Sequence, residues 1–366
     1  MKLHHIIVML SIFTSLFSYS QEDSVKVVVA KNAKIDSSGI DPEAQKAYNT
    51  GIAAFQSKDF NGAAKQFKKA IEISPEFLKA HTNLASTYLT NNQMELAKIQ
   101  LLKITIIDKT ADKPFFELGS IAEQKDSLDM AIRYYSKAIE RNKTNYEYYY
   151  QRGIQYYKIG KFEEAISDFN KVVAIQPDFA DVYNDRGSAF RKQDKVSQAV
   201  ADYKKAALLD KTTAVAYSNL GSLYRKNEKY DKAIKAYDKA ILIDKKYYLA
   251  WNNRGYAKFK SGDTEGAILD FKHVTLLKPD YTMAYNNIAA VYLEMEEYEK
   301  GVEYSSKAID KDKNLGVAYY NRAAAYEMLR KEVKACKDWK KAADLGVQIA
   351  DDYYRKASCG NLTEKK

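Results

Sequence analysis

Five asparagines recur at one interval or a multiple of it along this chain of 366 residues: Asn83, Asn219, Asn253, Asn287 and Asn321, the last four spaced by 34. Asn252 and Asn286 double two of them one residue earlier. Asn is a mediocre helix former, because its amide competes for nearby backbone groups, so a row of it at helical positions asks for a reason. Each amide offers an acceptor and two donors, the set that can hold the backbone of an extended peptide whatever its side chains. Duplication of one ancestral unit would leave the same row behind. The residues alone keep both readings open.

A second set is cationic. Lys158, Arg191, Lys192, Arg225, Lys226 and Lys260 fall at matching places in four consecutive units, where Glu123, Glu294 and Glu327 stand in units on either side. Cations near a helix C-terminus complement its dipole, each worth ~0.3–1 kcal/mol. That effect predicts the same choice in every unit and does not explain the switch to acids. The alternative is a basic stretch that selects an acidic segment of a partner. The whole chain carries 58 Lys and Arg against 48 Asp and Glu, a net charge of +10, which favours anionic partners.

Groups that perform catalysis are missing. Beyond residue 20 the histidines are His81 and His273, far apart in sequence and without Cys or carboxylate at ligand spacing. There is no Gly-rich phosphate loop, no Gly-x-Ser-x-Gly turn and no HExxH pattern. Acids alternate with Lys as i, i+4 helix pairs do. The expectation is a non-enzyme with no cofactor, no metal and no small-molecule substrate.

The elements behind these residues are read from a period. From Ala44 to Ile349 the chain repeats every 34 residues, nine times without insertion or deletion (44–77, 78–111, 112–145, 146–179, 180–213, 214–247, 248–281, 282–315 and 316–349). Position 8 of each unit is Gly51, Ala85, Gly119, Gly153, Gly187, Gly221, Gly255, Ala289 or Ala323. Position 20 is Ala63, Ala97, Ala131, Ala165, Ala199, Ala233, Ala267, Gly301 or Ala335. Within a unit the apolar spacing is helical in two bursts around a short turn. Tyr217, Leu220, Gly221 and Tyr224 form one face, Tyr230, Ala233, Tyr237, Ala240 and Ile241 the next, with Asn227-Glu228-Lys229 between. The small residues at 8 and 20 are expected to let the two helices approach. The large residue at 24 (Phe67, Leu101, Tyr135, Phe169, Tyr203, Tyr237, Phe271, Trp339) is expected to fill the space toward the next unit, with Ser305 the exception and Tyr304 its substitute.

This pattern closely resembles the tetratricopeptide repeat family over residues 44–349: an aromatic at 4, Leu-Gly at 7–8, Tyr at 11, Ala at 20, an aromatic at 24 and Ala at 27. Proline at 32 is present as Pro75, Pro177 and Pro279 but replaced by Lys109, Lys143, Lys211, Lys245 and Lys313, which predicts looser turns there. The resemblance implies an all-α, right-handed solenoid whose first helices line a concave groove. Positions 2, 5, 6, 9, 12 and 13 would face that groove, which would put the Asn row and the basic stretch inside it. Asn at position 6 also belongs to the family's common pattern, which keeps the inherited reading alive. The carboxylate clamp of chaperone adaptors is not met, because Ser218 and Ser222 precede Asn253 and Thr282 and Asn287 follow it.

The remaining segments complete the reading. Residues 1–20 are read as an export signal cleaved after Ser20, and 21–43 as a flexible linker ending in the helix start Asp41-Pro42-Glu43. Export would make the mature chain periplasmic or extracellular. Cys336 and Cys359 suit one disulfide in an oxidising compartment, or two buried thiols. Gly346–Ala357 reads as a capping helix with a tail to 366, its ending similar to that of exported bacterial repeat proteins. Of thirty tyrosines, the runs Tyr148-Tyr149-Tyr150, Tyr247-Tyr248 and Tyr319-Tyr320 are expected to bury half their rings and expose half. The functional expectation is a scaffold in the cell envelope that holds a protein or peptide, acidic in part, in its groove. The alternative is an anionic envelope polymer bound by the basic stretch; nucleic acid is disfavoured by export.

Overall fold

The computed structural model describes residues 40–357 and Cys359; the segment read as an export signal and most of that read as a linker lie outside the described residues. The described chain is helical throughout. Two compact bodies divide between Lys195 and Val196, inside the fifth 34-residue unit. The first contains α1 (Pro42–Gln56), α2 (Phe60–Ile73), α3 (Leu78–Thr90), α4 (Met94–Ile107), α5 (Lys113–Gln124), α6 (Leu128–Arg141), α7 (Tyr146–Lys158), α8 (Phe162–Ile175) and α9 (Ala180–Lys192). The second contains α10 (Val196–Leu209), α11 (Val215–Lys226), α12 (Tyr230–Ile243), α13 (Tyr248–Lys260), α14 (Thr264–Leu277), α15 (Thr282–Glu294), α16 (Tyr298–Lys311), α17 (Gly316–Met328), α18 (Glu332–Asp344) and α19 (Gln348–Lys356).

Within each body every helix packs on the next, and odd-numbered first helices also touch each other: α1 on α3, α7 on α9, and α11, α13, α15 and α17 in series. The second helices make no comparable contact with one another. First helices therefore lie on the inner side of each body and second helices on the outer side. The first helix starts at Pro42, where Asp41 Oδ1 accepts from the backbone N–H of Glu43 at 2.7 Å.

Position 8 works differently from the expectation. A Cβ on Gly221 would stand 2.7 Å from Tyr237 Cε1, and one on Gly119 2.5 Å from Tyr135 Cε1; Gly51 and Gly153 meet Phe67 and Phe169 in the same way. The glycine makes room for the position-24 ring of its own unit, and such rings also pack toward the next unit as expected: Phe271 clusters with Ile288 and Val291, and Tyr237 with Ala250 and Ala257. Where position 8 is Ala85 or Ala289, position 24 is the smaller Leu101 or Ser305, whereas Ala323 is paired with Trp339. Ser305 is buried, and Tyr304 packs on the cluster of Phe271, Ile288 and Tyr292, its ring tilted against Tyr292 with centroids 5.5 Å apart.

Two turns recur. Position 15 is left-handed in Lys58, Asn92, Asp126, Gly160, Asp194, Glu228, Gly262, Glu296 and Arg330 (φ 55 to 94°). Between units, the backbone N–H of position 34 bonds the carbonyl of position 31 whether position 32 is Pro or Lys: Tyr281 to Lys278 at 3.0 Å, Tyr247 to Asp244 at 3.1 Å. The units without proline are not left unbraced. Their position 31 is Asp108, Asn142, Asp210, Asp244 or Asp312, whose side-chain oxygen accepts the N–H two residues on at 2.8–3.1 Å. The carboxylate or amide supplies an Asx-turn in place of the pyrrolidine ring.

At the far end, α19 covers a cluster of Tyr320, Trp339 and Ala350, and Tyr353 lies 5.5 Å from the Trp339 ring, nearly parallel to it. Cys336 on α18 and Cys359 are joined as a disulfide with Cα atoms 5.5 Å apart.

Candidate peptide-binding face

The asparagine row sits on the first helices, and its members bond to one another. Asn287 Nδ2 on α15 donates to Asn252 Oδ1 on α13 at 3.1 Å, and Asn321 Nδ2 on α17 donates to Asn286 Oδ1 on α15 at 3.0 Å. The same pairing of position 6 with position 5 of the unit before recurs elsewhere. Asn83 Nδ2 donates to the Tyr48 hydroxyl at 3.0 Å, and in the fourth and fifth units the direction reverses, Tyr150 donating to Asp185 at 2.7 Å. Asn219, Asn252, Asn253, Asn286, Asn287 and Asn321 are buried, while Asn83 is half-buried. The row is a chain of interhelical hydrogen bonds before it is anything else. The doublets at 252 and 286 exist because the bond needs a partner at position 5.

Asp185 carries the strongest electrostatic consequence. It replaces Asn at position 6, and burial pushes its carboxyl up to about 7, with Asp181 one turn earlier adding to the rise and the Tyr150 and Asn184 hydrogen bonds opposing it. A protonated carboxylic acid is close in shape and hydrogen-bonding capacity to the amide found elsewhere in the row.

The six basic residues divide between the bodies and differ in availability. In the first body, Arg191 is buried and Lys192 exposed. Lys158 Nζ lies 2.7 Å from Glu123 Oε1 on the preceding first helix. The change from acid to base along the chain is, at this point, an ion pair between neighbouring units. In the second body Arg225 is buried with its guanidinium 4.9 Å from the Tyr256 ring centroid. Lys226 and Lys260 are exposed, and Lys260 also approaches Tyr256 at 5.9 Å. The second body thus presents Lys260 beside an aromatic ring at the C-terminal end of α13, with Arg225 of α11 buried against the same ring.

A further set of residues escaped the sequence reading. Arg254 grips Asp270 with Nε and Nη2 at 2.8 and 2.7 Å and reaches Asp238 with Nη1 at 2.7 Å. Arg152 does the same with Asp168 and Ser136, and Arg322 with Asp338 and Ser306. Each guanidinium locks a first helix to its own second helix and to the one before. Burial opposes the charge on Arg254, but the two-point bond to Asp270 outweighs it and raises its pKa. The signal was available as Arg and Asp 16 residues apart, at 152 and 168, 186 and 202, 254 and 270, 322 and 338.

The tyrosine runs also differ from expectation. Tyr148, Tyr149 and Tyr150 are all buried, because Asp112 accepts from Tyr148 at 3.0 Å, Arg152 covers Tyr149, and Asp185 takes Tyr150. Tyr247 and Tyr248 are both half-buried, and only the pair Tyr319-Tyr320 divides, Tyr320 being the buried member. His81 is an internal brace, its ring nitrogens at 2.9 Å from Gln100 Oε1 and 2.8 Å from the Pro75 carbonyl. Among the described residues no group of three or more His, Cys, Asp or Glu could hold a metal ion, and no helix is long and apolar enough to cross a membrane.

Comparison with known proteins agrees with this architecture. A stretch of 131 residues is 32% identical to the UDP-N-acetylglucosamine–peptide N-acetylglucosaminyltransferase of Giardia intestinalis, covering 36% of this chain and 9% of that enzyme. Another of 114 residues is 29% identical to Hsp70-Hsp90 organizing protein 3 of Arabidopsis thaliana, covering 31% of this chain and 20% of that protein. The chain therefore matches a small part of the length of these relatives. Among solved structures, the C-terminal part of a TPR repeat-containing protein from Cytophaga hutchinsonii superposes with a TM-score of 0.54 at 20% identity, over 65% of this chain and 98% of that one. Tetratricopeptide repeat profiles match residues 54–112, 113–145, 134–167, 214–247, 248–281 and 284–315, and a TPR repeat profile matches 153–194 and 187–227. With these matches running from 54 to 315 over paired helices of constant period, the chain belongs to the tetratricopeptide repeat family.

Proposed function

We propose that this protein is a non-catalytic interaction scaffold whose first-helix side takes an extended, partly acidic protein segment. One observation carries the reading: α11, α13, α15 and α17 touch in series and place chemically matched side chains in file. A file of that kind meets an extended chain at regular intervals, as repeat proteins do along their inner surfaces. Lys226 and Lys260, both exposed, with Lys260 beside Tyr256, give the file its preference for carboxylates. The amide row contributes mainly by fixing the spacing of the helices that present those groups. The relatives named above include a chaperone organizer, but the residues its terminal-carboxylate clamp would require are not at the matching positions here.

Work outside the reducing cytoplasm is part of the same proposal, supported by the Cys336–Cys359 bond and by the signal-like residues 1–20. The test is a binding titration of acidic and neutral extended peptides against the chain and its Lys226→Glu/Lys260→Glu variant. Loss of preference for the acidic peptide in the variant, at unchanged melting temperature, supports the reading. Equal binding of both peptides by both proteins sinks it, and equal capture of a polyanionic glycan would move it to the polymer alternative.

A further inference from the structure

The outer side of α4 is built against the rule that a surface helix turns a polar face to water. Its inward seam is Ala97, Leu101 and Ile104, all buried. Yet Leu96, Ile99, Leu102 and Ile106, off that seam, are 41, 50, 38 and 72% exposed. With about 100° between successive residues, Ile99, Leu102 and Ile106 fall within roughly 60° of one another, and Leu96 borders them. Glu95 and Lys103 are the charged residues that share the face.

Two of these four positions are charged on both flanking second helices. Lys65 on α2 and Arg133 on α6 stand where Ile99 stands, and Glu72 and Glu140 where Ile106 stands. On α14, Leu269 and Leu276 are exposed at the positions of Ile99 and Ile106, but Gly266 and Lys272 stand there where α4 has Leu96 and Leu102. The full aliphatic ridge therefore belongs to α4, and the stack does not require it, because its apolar seam is already satisfied on the other side. Beside the ridge, α2 and α4 enclose a groove of about 510 Å³ lined by Lys65, Lys68, Lys69, Tyr88 and Leu96 among others. Lys68 Nζ hangs 5.7 Å from the Tyr88 ring at its back.

We propose that the outer surface of α2 and α4 docks an acidic amphipathic helix from a partner protein. Its apolar side would cover Leu96, Ile99 and Ile106, and its carboxylates would reach Lys65, Lys68 and Lys69. Three features select this occupant. The concavity between α2 and α4 fits a rod of side chains, which a flat bilayer surface would leave unfilled. A second copy of the chain, docked ridge to ridge about a two-fold axis, would set its own lysine rim against this one. The net charge of +10 adds a long-range pull toward acidic partners. This face belongs to the second helices, so it is separate from the first-helix side proposed above.

The experiment is a fluorescence-anisotropy titration with a labelled designed peptide of roughly 18 residues, Leu and Glu at amphipathic helical spacing. A Leu and Lys peptide of the same pattern and vesicles containing phosphatidylglycerol are the comparators. Ile99→Glu/Ile106→Glu is expected to weaken the Leu-Glu peptide about tenfold or more without lowering the melting temperature, and Lys65→Glu/Lys69→Glu to weaken it and flatten its salt dependence. Should the first variant fold poorly, the second still reads the site. Lys226→Glu/Lys260→Glu is expected to leave this binding unchanged, which separates the two surfaces. The proposal is overturned if the Leu-Lys peptide binds as well, if vesicles bind and the peptide does not, or if the ridge variants bind the peptide like the parent. It is also overturned if sedimentation shows a dimer that Ile99→Glu/Ile106→Glu dissociates.

Discussion

Asn287 donates to Asn252 across 3.1 Å between two first helices, one unit and one residue apart, with both side chains buried. Removing one partner strands the other in a dry contact, at a cost of about 1–3 kcal/mol, whereas replacing both by apolar groups can be nearly neutral. Asn287→Leu is therefore expected to lower stability by that amount, and Asn252→Leu/Asn287→Leu by less than the sum of Asn252→Leu and Asn287→Leu. Urea unfolding of the four proteins gives the coupling energy. Additive single effects would mean that the bond holds nothing together.

The pairing of Gly at position 8 with a ring at position 24 predicts a rescue. Gly221→Ala places a methyl 2.7 Å from Tyr237 Cε1, and overpacking of that kind costs about 1–3 kcal/mol, partly offset by the better helix propensity of Ala. Gly221→Ala/Tyr237→Leu, which copies the natural Ala85 and Leu101 pair, is expected to recover part of the loss relative to Tyr237→Leu alone. Thermal unfolding of the three variants decides it.

Asp185 predicts a pH dependence of defined sign. Its folded pKa of about 7 lies above the ordinary carboxylate value of 3.8, so the native state binds more protons than the unfolded chain between those limits. The neutral acid's contribution is complete below pH 4 and is lost as pH rises toward 7. Asp185→Asn is expected to match the parent near pH 4 and to exceed it at pH 8, by about 4 kcal/mol at most. Denaturant titrations across that range test it; curves that stay parallel at every pH would refute the assignment.

The disulfide closes a separation of 23 residues around the terminal cluster, for which loop closure gives about 3 kcal/mol of stabilisation. Cys336→Ser/Cys359→Ser is expected to lower stability by that order, with faster hydrogen exchange concentrated in α18 and α19 and none added in α1 to α8. Exchange rising uniformly along the chain would show that the bond braces more than the cap.

The period of 34, the small residues at 8 and 20 and the paired apolar bursts determined the helix pairs and their order, because a repeated short-range pattern has one way to bury its seam. Asp41 as a helix cap was equally legible, being a matter of three adjacent residues. What only the tertiary structure decided is partnership between units. Asn252 with Asn287, Lys158 with Glu123, and Arg254 with both Asp238 and Asp270 meet across separations of 16 to 35 residues. A side chain's type states what it can bond, but which neighbour the stack brings within 3 Å depends on how the helices settle against one another. The exposed ridge on α4 belongs to the same class. Leu96, Ile99, Leu102 and Ile106 look like core in the sequence, and only the packing of α4 on α3 and α5 shows which of its faces the stack leaves to water.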